Sequence, residues 1–210
     1  MAVNGLTLKW IKMTLIDTIT AQLSERLQNQ DRVSIALSGG SSPVALYQAL
    51  SEQDLDWSQV EVTLIDDRDV PSDHPDSNQR LIAETLLQNN ARDARFIPLK
   101  DWPDGRIPDI GILGMGVDGH FASLFPAMMA SGMGFDPADR PRVITTPPMG
   151  NPLHPRVTMN LAMILAIPDR VLMVIGDDKI KVLEQAQTSQ DLPISRLLAH
   201  QGTSITHERI

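Results

Sequence analysis

The feature that most constrains this chain is a repeated pair of signals, a short apolar run followed at once by glycine or acidic residues. Val33 to Leu37 (VSIAL) stops at Ser38-Gly39-Gly40, and Val60 to Ile65 (VEVTLI) runs into Asp66-Asp67-Arg68. Ile110 to Leu113 ends at Gly114-Met115-Gly116, and Val171 to Ile175 (VLMVI) ends at Gly176. Apolar runs this short, bounded by turn residues, read as buried strands.

Helical patterns fill the intervals. Residues 13–28 place Leu15, Ile16, Ile19, Leu23 and Leu27 at helical spacing. Pro43 precedes VALYQAL, and proline suits a helix's first turn. Helices are also expected over 79–89, 178–188 and 194–199. Residues 157–167 fit a strand or a helix, and 127–155, rich in Gly, Pro and Met, read as irregular. Strands alternating with helices predict an α/β fold, a mainly parallel sheet with helices on both faces. Such sheets bind ligands at the carboxyl ends of their strands. Here those ends carry SGGSS, DDR, GMGVDGH and GDDK, so the polar chemistry is expected on one edge.

Composition narrows the functional class. A length of 210 residues suits one domain, residues 1–210. The net charge of −8 disfavours nucleic acid or an anionic membrane as partner. Cysteine is absent, which removes disulfides, thiol nucleophiles and Cys-based metal sites. There is no signal-peptide pattern and no run of the ~20 apolar residues a membrane span needs. The expectation is a cytoplasmic protein, monomer or homodimer.

Four constellations can carry chemistry. Ser38-Gly39-Gly40-Ser41-Ser42-Pro43 leads into a helix N-terminus, where free N–H groups favour an anion. A plain turn with Ser41 or Ser42 as N-cap fits the same letters. Asp66-Asp67-Arg68, with His74, Ser77 and Asn78 downstream, can hold sugar hydroxyls or a phosphate, or be a solvated charged turn. In the run from Gly114 to Pro126, His120 is a candidate general base and Asp118, two residues earlier, a candidate partner for its ring. A structural His bonded to the loop backbone is the plainer alternative. Arg156 and Lys179 add cations suited to a phosphate dianion. No metal site is expected, because the five His are dispersed and lack His-x-x-x-His spacing.

Together these segments resemble the 6-phosphogluconolactonase family, within the group that includes glucosamine-6-phosphate deaminase. The matching residues are LSGGSSP (37–43), IDDR (65–68), HPDSN (74–78), LGMGVDGHFASLFP (113–126), RVT (156–158), GDDK (176–179) and LPIS (192–195). The resemblance implies a Rossmann-like fold of the kind shared with amino-sugar-phosphate deaminases and ribose-phosphate isomerase. It implies hydrolysis of 6-phospho-D-glucono-1,5-lactone, a phosphosugar lactone, without cofactor or metal. His120 would be the base and Asp118 its positioner. Ser38, Gly39, Gly40, Ser41, Ser42, Asp66, Arg68, Arg156 and Lys179 would bind substrate. Deaminases of the group carry an acidic residue five positions after the His; here that position is Phe125. Departures from the family pattern are Asp67 for Glu, Val117 for Pro, Phe121 for Thr and Met149 near a common Lys. Two other readings stay open: an amino-sugar-phosphate isomerase or deaminase, and a non-catalytic sugar-phosphate sensor. The sensor wants an attached DNA-binding segment, for which this acidic chain leaves no room.

Overall fold

The computed structural model describes residues 14–208, so Met13 and the termini of the expected domain lie outside the described residues. Nine strands and seven α-helices follow one another in it. The strands are β1 (Val33–Leu37), β2 (Val60–Leu64), β3 (Asp66–Arg68), β4 (Arg95–Phe96), β5 (Ile110–Gly114), β6 (Val143–Met149), β7 (His154–Met159), β8 (Asp169–Ile175) and β9 (Thr203–Glu208). The helices are α1 (Leu15–Leu27), α2 (Val44–Ser51), α3 (Asn78–Thr85), α4 (Pro126–Met129), α5 (Leu161–Ala166), α6 (Asp177–Ala186) and α7 (Pro193–Leu198).

Six strands form the main sheet in the order β4-β2-β1-β5-β8-β9, and every neighbouring pair is parallel. β1 and β2 are buried at every position, as a central strand covered on both faces must be. The chain winds outward from β1 in one direction and then from β5 in the other. With right-handed crossovers this places α2 and α3 on one face and the later helices on the other. The winding direction reverses between β1 and β5, and loops there splay apart to leave a crevice.

Burial explains the strand sequences, including their polar members. Glu61 is buried in β2, and Arg32, Arg95 and Arg106 gather around its carboxylate. A buried charge is tolerable only when paired in this way. α1 starts at Thr14, which forms a capping box with Asp17, and it buries Ile19 and Leu23.

The irregular reading of 127–155 is corrected by the structure, which finds β6 there and the start of β7. The segment 157–167 is both alternatives in turn: β7 ends at Met159, Asn160 caps, and α5 follows. Asp66 to Arg68 are also more than a strand end. Past Ile65 the chain leaves the main sheet and forms a second, three-stranded antiparallel sheet, β3-β7-β6. In it Arg68 pairs with Arg156 and Asp66 with Thr158. Short strands rich in charge and proline carry no clear alternation, which is why their sequence conceals them.

Candidate active site

A cleft of about 280 Å³ opens at the carboxyl edge of the main sheet, between the loops after β1 and β5. Residues Ser38 to Pro43 form one wall, and Gly114, Met115, Gly116 and His120 another. Asp66, Arg68, Asn78, Arg156 and Lys179 also line it. The structure therefore brings ten of the eleven candidate residues to one cleft. The eleventh, Asp118, touches it through His120.

His120 sits in a tight loop closed by the Gly116 N–H donating to the His120 carbonyl at 2.8 Å. Its Nδ1 lies 2.5 Å from Asp118 Oδ1, and the same oxygen accepts the His120 main-chain N–H at 3.2 Å. Burial alone would raise the Asp118 carboxyl, but the hydrogen bonds and charge of His120 outweigh it and hold the carboxyl below its ordinary value. An ionised Asp118 fixes the proton on Nδ1 and leaves the Nε2 lone pair available. The Phe125 ring lies 4.6 Å from the imidazole, centroid to centroid. Gly116 makes the arrangement possible, because a Cβ there would overlap the His120 ring. Ala122, also on the lining, adopts φ 50, a left-handed conformation rare for a residue with a Cβ.

The Ser-Gly loop serves α2 without a side-chain cap. Pro43 occupies the N-cap position and no side chain bonds there, so neither Ser41 nor Ser42 is the cap the sequence allowed. Ser42 Oγ instead accepts from Lys179 Nζ at 3.2 Å, which ties the first turn of α6 to this loop. Burial lowers the Lys179 ammonium below its ordinary value. Ser38 is partly committed: its Oγ accepts the Gly114 N–H at 3.2 Å, and its carbonyl accepts the Tyr47 hydroxyl at 2.7 Å.

The acidic pair divides its work. Asp66 is buried, faces the cleft and accepts Ser123 Oγ at 2.6 Å. Asp67 turns away from the cleft and accepts the N–H groups of Asn78 at 2.6 Å and Gln79 at 3.2 Å, capping α3 beside its N-cap Ser77. Burial raises the Asp67 carboxyl, against the helix amides that lower it.

Arg68 Nη1 donates to Asn78 Oδ1, while its buried Nε has no partner among the described residues. A buried unpaired donor on a cleft side chain is suited to an anionic ligand. Arg156 is held more firmly. It donates to the carbonyls of Met149 at 3.0 Å and Pro152 at 2.9 Å, and its guanidinium lies 5.6 Å from the Phe125 ring centre. Burial and then repulsion from Arg68 lower its pKa.

Asn78, Ser123, Gly116 and Phe125 are lining or bracing residues; the sequence set Asn78 beside Asp66-Asp67-Arg68 and the other three in the His120 run, without showing their partners. Asn78 also donates from Nδ2 to the Asp66 carbonyl at 2.8 Å, and its carboxamide occupies the space a Cβ at Gly39 would need. Two of the five histidines, dispersed in the sequence, meet in the fold, where His74, Asp76 and His154 gather at one point.

Comparison with known proteins agrees with this architecture. The family model described as glucosamine-6-phosphate isomerases/6-phosphogluconolactonase matches residues 9–106 and 103–206. The 6-phosphogluconolactonase of Neisseria meningitidis is 36% identical over 91% of this chain and 90% of its own length. That of Rhizobium meliloti is 36% identical over 88% and 87%. Among solved structures, a 6-phosphogluconolactonase from Shewanella baltica superposes with a TM-score of 0.81 at 33% identity, covering 93% of this chain and 91% of that one. With a family model matched across most of its length and relatives at 36% identity over about nine-tenths of it, the chain belongs to the glucosamine-6-phosphate isomerase/6-phosphogluconolactonase family.

Proposed function

We propose that this protein is a hydrolase that opens 6-phospho-D-glucono-1,5-lactone to 6-phospho-D-gluconate, a step of the pentose phosphate pathway, with His120 as general base. The observation that carries the reading is the Asp118–His120 pair at the mouth of a cleft lined by Arg68, Arg156 and Lys179. Relatives at 36% identity over most of the chain are 6-phosphogluconolactonases.

In this mechanism His120 Nε2 removes a proton from water as the water oxygen attacks the lactone carbonyl carbon. The carbonyl electrons move onto oxygen and return as the bond from that carbon to the ring oxygen breaks. The same imidazole then gives its proton to the departing ring oxygen. The Ser38–Ser42 loop, Lys179 and the unpaired Arg68 Nε hold the phosphate, and Arg156 supports that wall. Asp66 takes sugar hydroxyls. Such a remote grip aligns the lactone and can supply ~7 kcal/mol of the barrier reduction at the favourable limit. The reading places the enzyme in the cytoplasm, as a monomer or homodimer acting on a small molecule.

A deaminase needs a further acid beside the base, and the position five residues after His120 presents the phenyl ring of Phe125 instead. The test is the opening of freshly generated lactone, coupled to 6-phosphogluconate oxidation and corrected for spontaneous hydrolysis. Chelator is present, and ammonia release from glucosamine 6-phosphate is measured in parallel. Accelerated opening without ammonia is the expected result. Ammonia release, or no acceleration by folded protein, would overturn it.

A further inference from the structure

Two imidazoles and a carboxylate converge behind the cleft wall, outside the residues assigned to catalysis. His74 and Asp76 flank Pro75 in the turn leading to α3, and His154 opens β7, 78 residues beyond Asp76. Their candidate ligand atoms all lie within 4.8 Å of one another. Asp76 Oδ2 is 2.8 Å from His154 Nε2 and 3.8 Å from His74 Nδ1.

Around a tetrahedral zinc with bonds of about 2.0–2.1 Å, neighbouring ligand atoms sit roughly 3.3–3.4 Å apart. The two observed separations bracket that value. The rings lie edge to face, 80° apart with centroids at 5.5 Å, so they do not stack and shield their nitrogens. His74 Nδ1 accepts the Asp76 main-chain N–H at 3.1 Å, so this nitrogen carries the ring's lone pair. The side chains are between 24% and 38% exposed, which lets an ion in and leaves its fourth position to water.

We propose that His74, Asp76 and His154 form a site for one divalent transition-metal ion of the zinc class. Two imidazoles and one carboxylate suit a borderline ion; magnesium and calcium require more oxygen ligands. On binding, the ion takes the place of the proton between His154 Nε2 and Asp76, which is released to solvent, and competes with the Asp76 N–H for the His74 Nδ1 lone pair. Asp76 lies two residues before Asn78, and His154 two before Arg156. The ion would therefore brace two cleft residues from behind, cross-linking the turn before α3 to β7.

The probe is zinc chloride, titrated calorimetrically into the full chain at pH 7.5, beside the variants His154→Ala, His74→Ala and His120→Ala. The His120 variant controls for binding at the other His–Asp pair. Expected is one equivalent bound with a Kd of about 10 µM or tighter, weakened at least ~30-fold in His154→Ala and His74→Ala and kept in His120→Ala. At free zinc a hundredfold above Kd, Tm should rise by roughly 5–10 °C in wild type and not in His154→Ala. Binding that is absent, unchanged in His154→Ala, or lost only in His120→Ala would overturn the site. Lactone opening in chelator is a separate readout that this outcome leaves untouched.

Discussion

Asp118 Oδ1 accepts two hydrogen bonds from His120, one at 2.5 Å from the ring Nδ1 and one at 3.2 Å from the main-chain N–H. One carboxylate oxygen thus sets the loop's shape and the imidazole's tautomer together. Asp118→Asn keeps the shape but removes the charge that stabilises the imidazolium formed in the reaction. We expect kcat to fall about 100-fold or more, with KM within about threefold. The folded Asp118 carboxyl is depressed, so its stabilising contribution exists above the unfolded value and is lost as pH falls through the folded one. The Tm gap between wild type and Asp118→Asn should therefore be full at neutral pH and close only below the ordinary carboxylate range. Steady-state kinetics and thermal melts against pH read both.

Gly116→Ala tests the same loop by crowding. The new Cβ would meet His120 Nδ1 and Cε1 and the Asp118 carboxylate. These are side-chain atoms, so the ring is displaced and the main chain has no need to move. The expected result is a kcat loss of at least ~10-fold in a protein whose far-ultraviolet circular dichroism is unchanged. Wild-type kcat would show that the imidazole needs no such cradle.

Much of this site was legible because it lies at strand ends. The runs ending at Leu37, Ile65, Leu113 and Ile175 mark the main sheet, and parallel topology then sends SGGSS, DDR, GMGVDGH and GDDK to one edge. The Asp118–His120 pair is local, two residues apart, and a short loop brings its members together. Asn78 and Ser123 were harder to place because their roles depend on partners far along the chain: Asn78 meets Arg68 and Gly39, and Ser123 meets Asp66. Asp67, for which the sequence indicated no role of its own, is placed by strand geometry. Its neighbour Asp66 faces the cleft, but alternation along β3 turns Asp67 to the helix amides. β6 and the start of β7 escaped for want of alternation, and with them went the meeting of His154 and Asp76.

Lys179 predicts a specific alkaline behaviour. Burial depresses its ammonium below 10.5, so the folded protein loses this charge earlier than an ordinary lysine would. Stability gains as pH rises through that window, because the unfolded chain binds the extra proton. Anion binding moves the other way. Affinity for 6-phosphogluconate should decline as pH rises through the lowered value, and Lys179→Arg should abolish that limb. At neutral pH, Lys179→Met should weaken binding about 10-fold. Calorimetric titration across pH measures each effect, and a wild-type profile indistinguishable from that of Lys179→Arg would remove Lys179 from the phosphate grip.

Ser123→Ala removes the hydroxyl that donates to the buried Asp66 carboxylate at 2.6 Å. An acceptor stripped of its partner in a buried setting costs about 1–3 kcal/mol. For a chain of this size each kcal/mol corresponds to roughly 2–4 °C in Tm. A drop of several degrees, with KM raised through a less well held Asp66, is the expected outcome of melts and kinetics. An unchanged Tm would mean the cleft itself satisfies Asp66.

The central claim is that His120 is the base that activates water, and His120→Ala tests it most directly. Opening of freshly generated 6-phosphogluconolactone should be measured in chelator with wild type and variant at matched fold. The account predicts a kcat loss of about 100- to 10,000-fold with KM little changed, since the phosphate grip lies on other residues. Turnover near the wild-type rate in His120→Ala would contradict it and move the base elsewhere in the cleft.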